Sequence, residues 1–268
     1  MSRFTINRAH LCGLTIALFL LLGYAGTAQA AFPTISDSDT KSGTVGANST
    51  SWTITYPTNI AAGDLLLLFF GADGTATFSA TGFTNVGNLQ ASAVTVFLLA
   101  KVAAGTETGT FTATVDAAEQ GGWRIFRIPA ASWFGGTLNV NPTESNGLAT
   151  FGESSGSPSA NPNPAALNPA NWGTEDTLWI AAIGVDTSRT ISVFPLADRN
   201  TSDVSGGAGG ATLGLCTTAS TVASLDPGTF TISASDDWAA LTVAVRPAGA
   251  ATPAAVRRML TLGVGGKE

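Results

Sequence analysis

One pattern of strands occurs twice in this chain, about 120 residues apart. The first copy begins at Gly109 and reads GTFTATVDAAEQGGWRIFRI, and the second begins at Gly228 and reads GTFTISASDDWAALTVAVRP. Each copy has an alternating run, an acidic turn and a longer closing run. A repeat of this length constrains the fold strongly, because each copy must form the same set of elements and bury the same apolar face.

The repeat extends upstream of both copies. Asp64 precedes the apolar run LLLLFF, and Asp176 precedes the apolar run TLWIAAI. The order of these segments is kept while the loops between them differ in length. The sequence therefore predicts two similar halves, covering about 43–129 and 173–247.

The residue periodicity predicts strands in both halves. In SWTITY, Trp52, Ile54 and Tyr56 alternate with serine and threonine, as expected for a strand with one buried face. The runs at 64–70 and 176–183 are apolar on both faces, which is typical of strands at the centre of a covered sheet. No segment after residue 30 shows a sustained helical period, so almost no helix is expected.

Packing the two halves together is the simplest way to cover their apolar faces. A four- or five-stranded unit with one exposed apolar face is marginally stable alone. We therefore expect an all-β fold over 31–248, an antiparallel, jelly-roll-like β-sandwich. Two independent small domains are the alternative. The Pro-, Asn-, Ser- and Gly-rich segment 146–171 is expected to connect the halves over the surface, and 249–268 to form a flexible tail.

Residues 1–30 have the pattern of a secretory signal peptide. Arg3 and Arg8 precede a compact apolar stretch at 14–22, and AQA then provides small residues for cleavage after Ala30. The apolar stretch is short for a membrane span, although a retained N-terminal anchor is the alternative. The sequence predicts a secreted, periplasmic or cell-surface protein with no stable membrane insertion.

Removal of this leader would restrict the chemistry of the chain. It takes away the only histidine, His10, and one of the two cysteines, leaving Cys216 in a strand-like run. Ten basic residues then oppose eighteen acidic ones, a net charge of −8. Zinc sites and histidine-dependent nucleophiles are disfavoured, and nucleic acid is not expected as a partner. Cys216 is expected to be a small buried apolar residue.

Acidic turns provide the candidate metal ligands. Asp73 in GADGTA and Asp186 in GVDTSR occupy matching turns, and Asp236 and Asp237 lie in the acidic turn of the second copy. Calcium takes oxygen ligands, so these four residues are a speculative calcium site; no other cofactor is expected. The alternative is that each aspartate bonds its own turn. Carboxylate pairs also allow a glycoside hydrolase, but no pair is singled out by the sequence.

Two tryptophans provide candidate ligand contacts. Trp133 in AASWFGG and Trp172 in NPANWGTE lie beside turns rather than within alternating runs. An exposed indole can stack on a sugar ring, which favours a carbohydrate-binding module with surface glycans as partners. The alternative is that both side chains close off an end of the core.

Several phrases together resemble a known group of proteins. They include SWTITYPTNIAAGDLLLLFF, KVAAGTETGTFTATVDAAEQ and NWGTEDTLWIAAIGVD, and the similarity covers about 42–248. The chain resembles β-rich proteins of tailed bacteriophages and marine metagenomes, taken for structural components of virions or tails. The resemblance implies a structural role in a virion and transfers no catalytic residue. The leader departs from that pattern, because virion proteins assemble in the host cytoplasm.

These observations together favour a non-enzymatic, exported structural or adhesive β-sandwich at a particle or cell surface. Its expected partners are further copies of itself or surface glycans. A carbohydrate-binding module is the alternative, and a carboxylate-dependent glycoside hydrolase is a third hypothesis.

Overall fold

The computed structural model describes residues 30–138, 147–206 and 209–249. In this part of the chain the only helical element is a short 3-10 turn at Asp37–Asp39, and the remaining elements are strands. The expected antiparallel all-β sandwich is confirmed. The leader and the tail that the sequence predicts lie outside the described residues, except for Ala30 and Gly249.

The first sheet is formed by the first half of the chain. Its strand order is β1-β6-β2-β5-β4, all neighbours are antiparallel, and the short β3 pairs with β6. The bounds are β1 Thr40–Thr55, β2 Leu65–Asp73, β3 Phe78–Ala80, β4 Thr84–Ala91, β5 Val94–Val102 and β6 Thr110–Ile128.

The second half forms the second sheet, in the order β10-β11-β8-β13-β7. Two further strands, β9 and β12, pair with each other as a separate ribbon. The bounds are β7 Leu148–Ser159, β8 Glu175–Val185, β9 Ile191–Val193, β10 Arg199–Val204, β11 Thr212–Val222, β12 Thr231–Ile232 and β13 Asp236–Val245.

The two sheets have the same topology. Matching β1 with β7, β6 with β13, β2 with β8, β5 with β11 and β4 with β10 converts one strand order into the other. The predicted repeat is thus a repeat of whole sheets. The connectivity differs from that of a jelly roll, because consecutive strands stay within one sheet instead of alternating between the two.

The second half begins earlier than the sequence predicts. The segment 146–171 was expected to be a connection, but β7 forms within it and pairs antiparallel with β13. This strand has only one neighbour in the sheet. An edge strand can include residues such as Pro158, glycine and serine, because half of its backbone groups need no partner strand. The composition of this segment is therefore typical of a loop, which is why the sequence did not predict β7.

The central strands β2 and β8 are buried on both faces, as predicted. Leu65, Leu67 and Phe69 of β2 point between the sheets and form one core with Ile180 and Ala182 of β8. This inner core joins the two halves, which agrees with one sandwich rather than two separate domains.

Each half also has an outer core of its own. Phe70 of β2 points away from the inner core and stacks on Phe78 of β3 at 4.2 Å between ring centroids. Trp52 of β1 packs edge-on against Phe78 at 5.0 Å. In the second half, Phe230 and Trp179 of β8 belong to the equivalent layer. The molecule therefore has three apolar layers, and alternate residues of each central strand belong to different layers.

The sheets approach closely at one glycine in each half. A Cβ at Gly71 of β2 would lie 2.9 Å from Cβ of Leu213, and one at Gly184 of β8 would lie 3.0 Å from the carbonyl oxygen of Thr95. Real Cβ atoms are not found so close to other atoms without a shift of the neighbour. Gly71 thereby allows β2 to approach β11, and Gly184 allows β8 to approach β5. Within the described residues, no helix is long and apolar enough to cross a membrane.

Candidate functional site: carboxylates where the two halves meet

The ends of the two central strands place equivalent aspartates side by side. Asp73 is the last residue of β2, and Asp186 directly follows β8. Their carboxyl groups lie close enough for Asp73 to raise the pKa of Asp186. Each half therefore contributes one carboxyl group to this pair. The sequence placed the two aspartates in matching turns, but it did not predict that they lie next to each other.

The environment favours a proton on this pair. Burial is the largest cause that raises the pKa of Asp186, followed by the hydrogen bond and the charge of Asp73 and then by the charges of Asp236 and Asp237. Together they raise the pKa of Asp186 to about 7. Because burial and the charge of Asp73 both oppose ionisation, the Asp186 carboxyl keeps its proton up to near-neutral pH.

The other predicted aspartates surround the pair in different ways. Asp236 is buried, and its carboxylate accepts hydrogen bonds from Arg189 Nε at 2.7 Å and from the Thr187 hydroxyl. Asp237 contributes its backbone, since its carbonyl oxygen accepts the N–H of Asp186 at 3.1 Å. Arg189 thus partly compensates the charge of Asp236, and the charges of Asp236 and Asp237 both raise the pKa of Asp186.

Glu119 of β6 extends the cluster on the side of the first half. Burial raises the pKa of Glu119 most, and the charges of Asp73 and Asp116 raise it further. Its carboxylate lies over Gly74, where a Cβ would be 2.6 Å from Oε1. We call Asp73, Asp186, Asp236, Asp237 and Glu119 the acidic end. Glu119 was not among the predicted site residues; its place in the acidic turn of the first repeat is the signal that could have identified it.

The four predicted aspartates do not form a calcium cage. Among the described residues, no group of three or more acidic, histidine or cysteine side chains is arranged to hold a metal ion. Asp73 and Asp186 direct oxygens at each other, and Asp236 is bonded to Arg189 and Thr187. Calcium needs six to eight oxygens converging on one point, so these residues do not fit it.

Neither predicted tryptophan presents a surface for stacking. Trp133 is 3% exposed, packs in the inner core and donates its indole N–H to the Gly63 carbonyl at 3.0 Å. Trp172 is 7% exposed and packs in the outer core of the second half. The interpretation of both as sugar platforms is wrong, and burial supports the alternative in which large aromatics close the core. Turn residues flank both tryptophans in the sequence, but both indole side chains are buried in the structure.

Cys216 is inert, as expected. It lies in β11 with no exposed surface, and burial raises the pKa of its thiol to about 12. A thiol without access to solvent and without a thiolate at neutral pH is a poor nucleophile.

Comparison with family models, with curated proteins and with solved structures finds no match for this chain. The likeness to virion and tail proteins therefore stays a prediction from the sequence, and the interpretation of function depends on the geometry described above.

Proposed function

We propose that this protein is a non-enzymatic structural or adhesive module that is exported and works at the surface of a cell or a particle. The observation that carries the proposal is the three-layered packing of two equivalent sheets. Such packing stabilises a rigid body without a cofactor, because every central strand is covered on both faces. Rigid, weakly charged β-sandwiches suit a mechanical or display role outside the cell.

A buried ion pair holds the halves together in addition to the apolar layers. Arg124 of β6 donates two hydrogen bonds, both of 2.8 Å, to the carboxylate of Asp203 in β10. Bidentate pairs of this kind fix geometry as well as charge. The halves are thereby held in one orientation, which favours a module that transmits or resists force.

The free edges of the sheets provide a route to self-assembly. β1 is an edge strand of 16 residues and has one charged side chain, Lys41. Natural edges are usually short, charged or covered, because an open edge pairs with other strands. A long edge with little charge supports further copies of this chain as partners.

Two matched variants test edge pairing. Thr53 in β1 and Thr112 in β6 are cross-strand partners and both are exposed, but only β1 is an edge. We expect light scattering to show species larger than one chain for the wild type and for Thr112→Lys. Thr53→Lys should reduce their size. Equal assembly of the two variants, or a single chain for all three proteins, would contradict edge pairing.

Export is tested separately with the full chain and its own leader in a bacterial host. We expect the chain outside the cytoplasm with Ala31 as its first residue, measured by fractionation and mass spectrometry. A cytoplasmic chain that keeps residues 1–30 would contradict the proposal.

The aspartate pair favours hydrolysis as a second candidate. Two carboxyl groups that share one proton can supply an acid and a base to a bound water, as in aspartic proteases. Hydrogen-bond contact is closer than the separation of about 5–5.5 Å found in retaining glycosidases. The pair therefore suits peptide hydrolysis better than glycoside hydrolysis, which was the third hypothesis from the sequence.

Turnover distinguishes the two candidates. The purified chain is incubated with denatured protein and with polysaccharides between pH 3 and 8. A structural module produces no cleavage. Cleavage that disappears in Asp73→Asn and in Asp186→Asn, and that remains in the exposed-site control Asp37→Asn, would establish the hydrolase instead.

A further inference from the structure

A concave surface lies at the opposite end of the first sheet from the acidic end. It is a groove of about 610 Å³ beside the start of β2 and the end of β5. Ligand pockets typically have volumes of about 300–1,000 Å³. We call it the Tyr56 groove; its lining includes Lys41, Tyr56, Thr58, Asn59, Glu107 and Thr108.

One wall of the groove is fixed by Glu107. Its buried carboxylate accepts the N–H groups of Ala104 and Gly105 at 2.9 Å each and pairs with Lys101 Nζ at 2.9 Å. Burial acts to raise the pKa of Glu107, but the Ala104 N–H and Lys101 outweigh it and lower the pKa to about 2. The carboxylate thus stays ionised, and its oxygens are bonded to the turn at Ala104 and Gly105 and to Lys101. It stabilises that turn and is not available to a ligand.

An aromatic cluster supports the adjoining wall. The Tyr56 ring packs on Phe111 with centroids 4.3 Å apart, and Phe111 stacks on Phe83 at 5.2 Å. Lys101 Nζ lies 5.9 Å from the centre of the Tyr56 ring. Tyr56 is half-buried, so the ring is held by these neighbours while part of the residue remains accessible.

The rim of the groove offers hydroxyl and amide groups. Thr58, Asn59 and Thr108 are all exposed. Thr58 is anchored, since its hydroxyl donates to the Ser38 carbonyl at 3.0 Å. Asn59 has a φ of 59°, a left-handed conformation that is uncommon outside glycine and that clusters at functional sites. A preformed aromatic wall with a polar rim suits a ligand that is rich in hydroxyl groups.

The groove also has one uncompensated positive charge. Glu107 is matched by Lys101, whereas within the described ranges no carboxylate lies within ion-pair distance of Lys41. This charge stands out in a chain with 12 basic and 18 acidic residues. A carboxylate on the ligand would pair with it.

We infer that the Tyr56 groove binds an acidic saccharide, with a sugar ring against Tyr56 and a uronate carboxylate at Lys41. This inference deepens the proposed adhesive role by naming a ligand class and a site for it. It also replaces Trp133 and Trp172 as the residues that contact glycans.

The test is affinity electrophoresis of the full chain through gels that contain polygalacturonate or, for comparison, neutral dextran. We expect the wild type to be retarded by polygalacturonate and not by dextran. Lys41→Gln should weaken the apparent affinity by at least tenfold, and Thr108→Phe, which fills the groove, should abolish retardation. Arg189→Gln removes the same charge at the acidic end and should leave the affinity within twofold of the wild type. Thermal unfolding of each variant verifies that it is folded.

Three results would overturn the inference: no retardation by polygalacturonate, equal retardation by dextran, or equal loss of affinity in Lys41→Gln and Arg189→Gln. None of them bears on edge pairing or export, which are measured by light scattering and fractionation. A result that contradicts saccharide binding in the groove can therefore be distinguished from one that contradicts the structural role.

Discussion

Replacing Asp186 by asparagine should stabilise the protein at alkaline pH and leave it unchanged in acid. In the folded state the carboxyl of Asp186 faces Asp73, and burial together with the neighbouring carboxylates raises its pKa from 3.8 to about 7. The folded state therefore holds this proton more tightly than the unfolded chain. The stability that the proton provides is complete below about pH 4 and is lost as the pH rises through 7.

The size of the effect follows from that difference in pKa. Each pKa unit between folded and unfolded states corresponds to about 1.4 kcal/mol, so an isolated, fully buried carboxyl would contribute about 4 kcal/mol. Asp186 is only partly buried, and solvent screening reduces this to about 1–2 kcal/mol. An asparagine amide is neutral at every pH and can still donate a hydrogen bond to Asp73. At pH 8 the variant should gain about 1–2 kcal/mol, or a Tm higher by about 2–8 °C.

Urea unfolding followed by tryptophan fluorescence at pH 4, 6 and 8 measures this difference. The control is Asp37→Asn, because the Asp37 side chain is 96% exposed and should change stability by less than about 0.5 kcal/mol. The reasoning is refuted if Asp186→Asn is no more stable than the wild type at pH 8. It is also refuted if the two proteins differ equally at pH 4 and pH 8.

Three further substitutions test the packing and the charges. Gly121→Ala should prevent stable folding, because the new Cβ would lie 2.0 Å from the Gly71 carbonyl oxygen. The control is Gly173→Ala, whose new Cβ would have no atom within 4 Å and which should leave the free energy of unfolding in chemical denaturation unchanged. Trp133→Ala should cost about 3–5 kcal/mol of unfolding free energy and spare saccharide retention in the folded fraction, whereas a selective loss of retention would restore its ligand role. Glu107→Gln should destabilise at pH 7 by about 1–2 kcal/mol, because the lowered pKa of about 2 adds stability above pH 4.5 that is lost as the pH falls through 2. The same destabilisation at pH 2 would show that Glu107 acts through packing instead of charge.

Short-range patterns in the sequence were sufficient to predict the central strands and the strands with one buried face. Trp52 and Ile54 alternate with polar residues and are fully buried, and the run after Asp64 is apolar on both faces and forms the central strand β2. Side-chain direction in a strand has a period of two, so burial of each face can be inferred locally. The repeat then predicted two similar halves, and the two sheets have matching strand orders.

Long-range placement could not be predicted in the same way. β7 contains serine, glycine and proline because an edge strand needs little intrinsic preference, and it exists only by pairing with β13. Trp133 lies beside turn residues in sequence, yet its loop turns inward and buries the indole. Both outcomes depend on what covers a residue, and sequence neighbours do not determine that.

The sequence by itself determined that this chain forms two similar antiparallel sheets with covered central strands, because period and repetition are local properties. Only the tertiary structure decided that Asp73 and Asp186 lie together and that Lys41 lies in a groove with Tyr56 and Thr108. Asp73 and Asp186 are 113 positions apart, and the two sheets approach each other closely at Gly71 and Gly184, near the strand ends that place them. Distances between sheets are set by packing, which no single segment of the chain encodes.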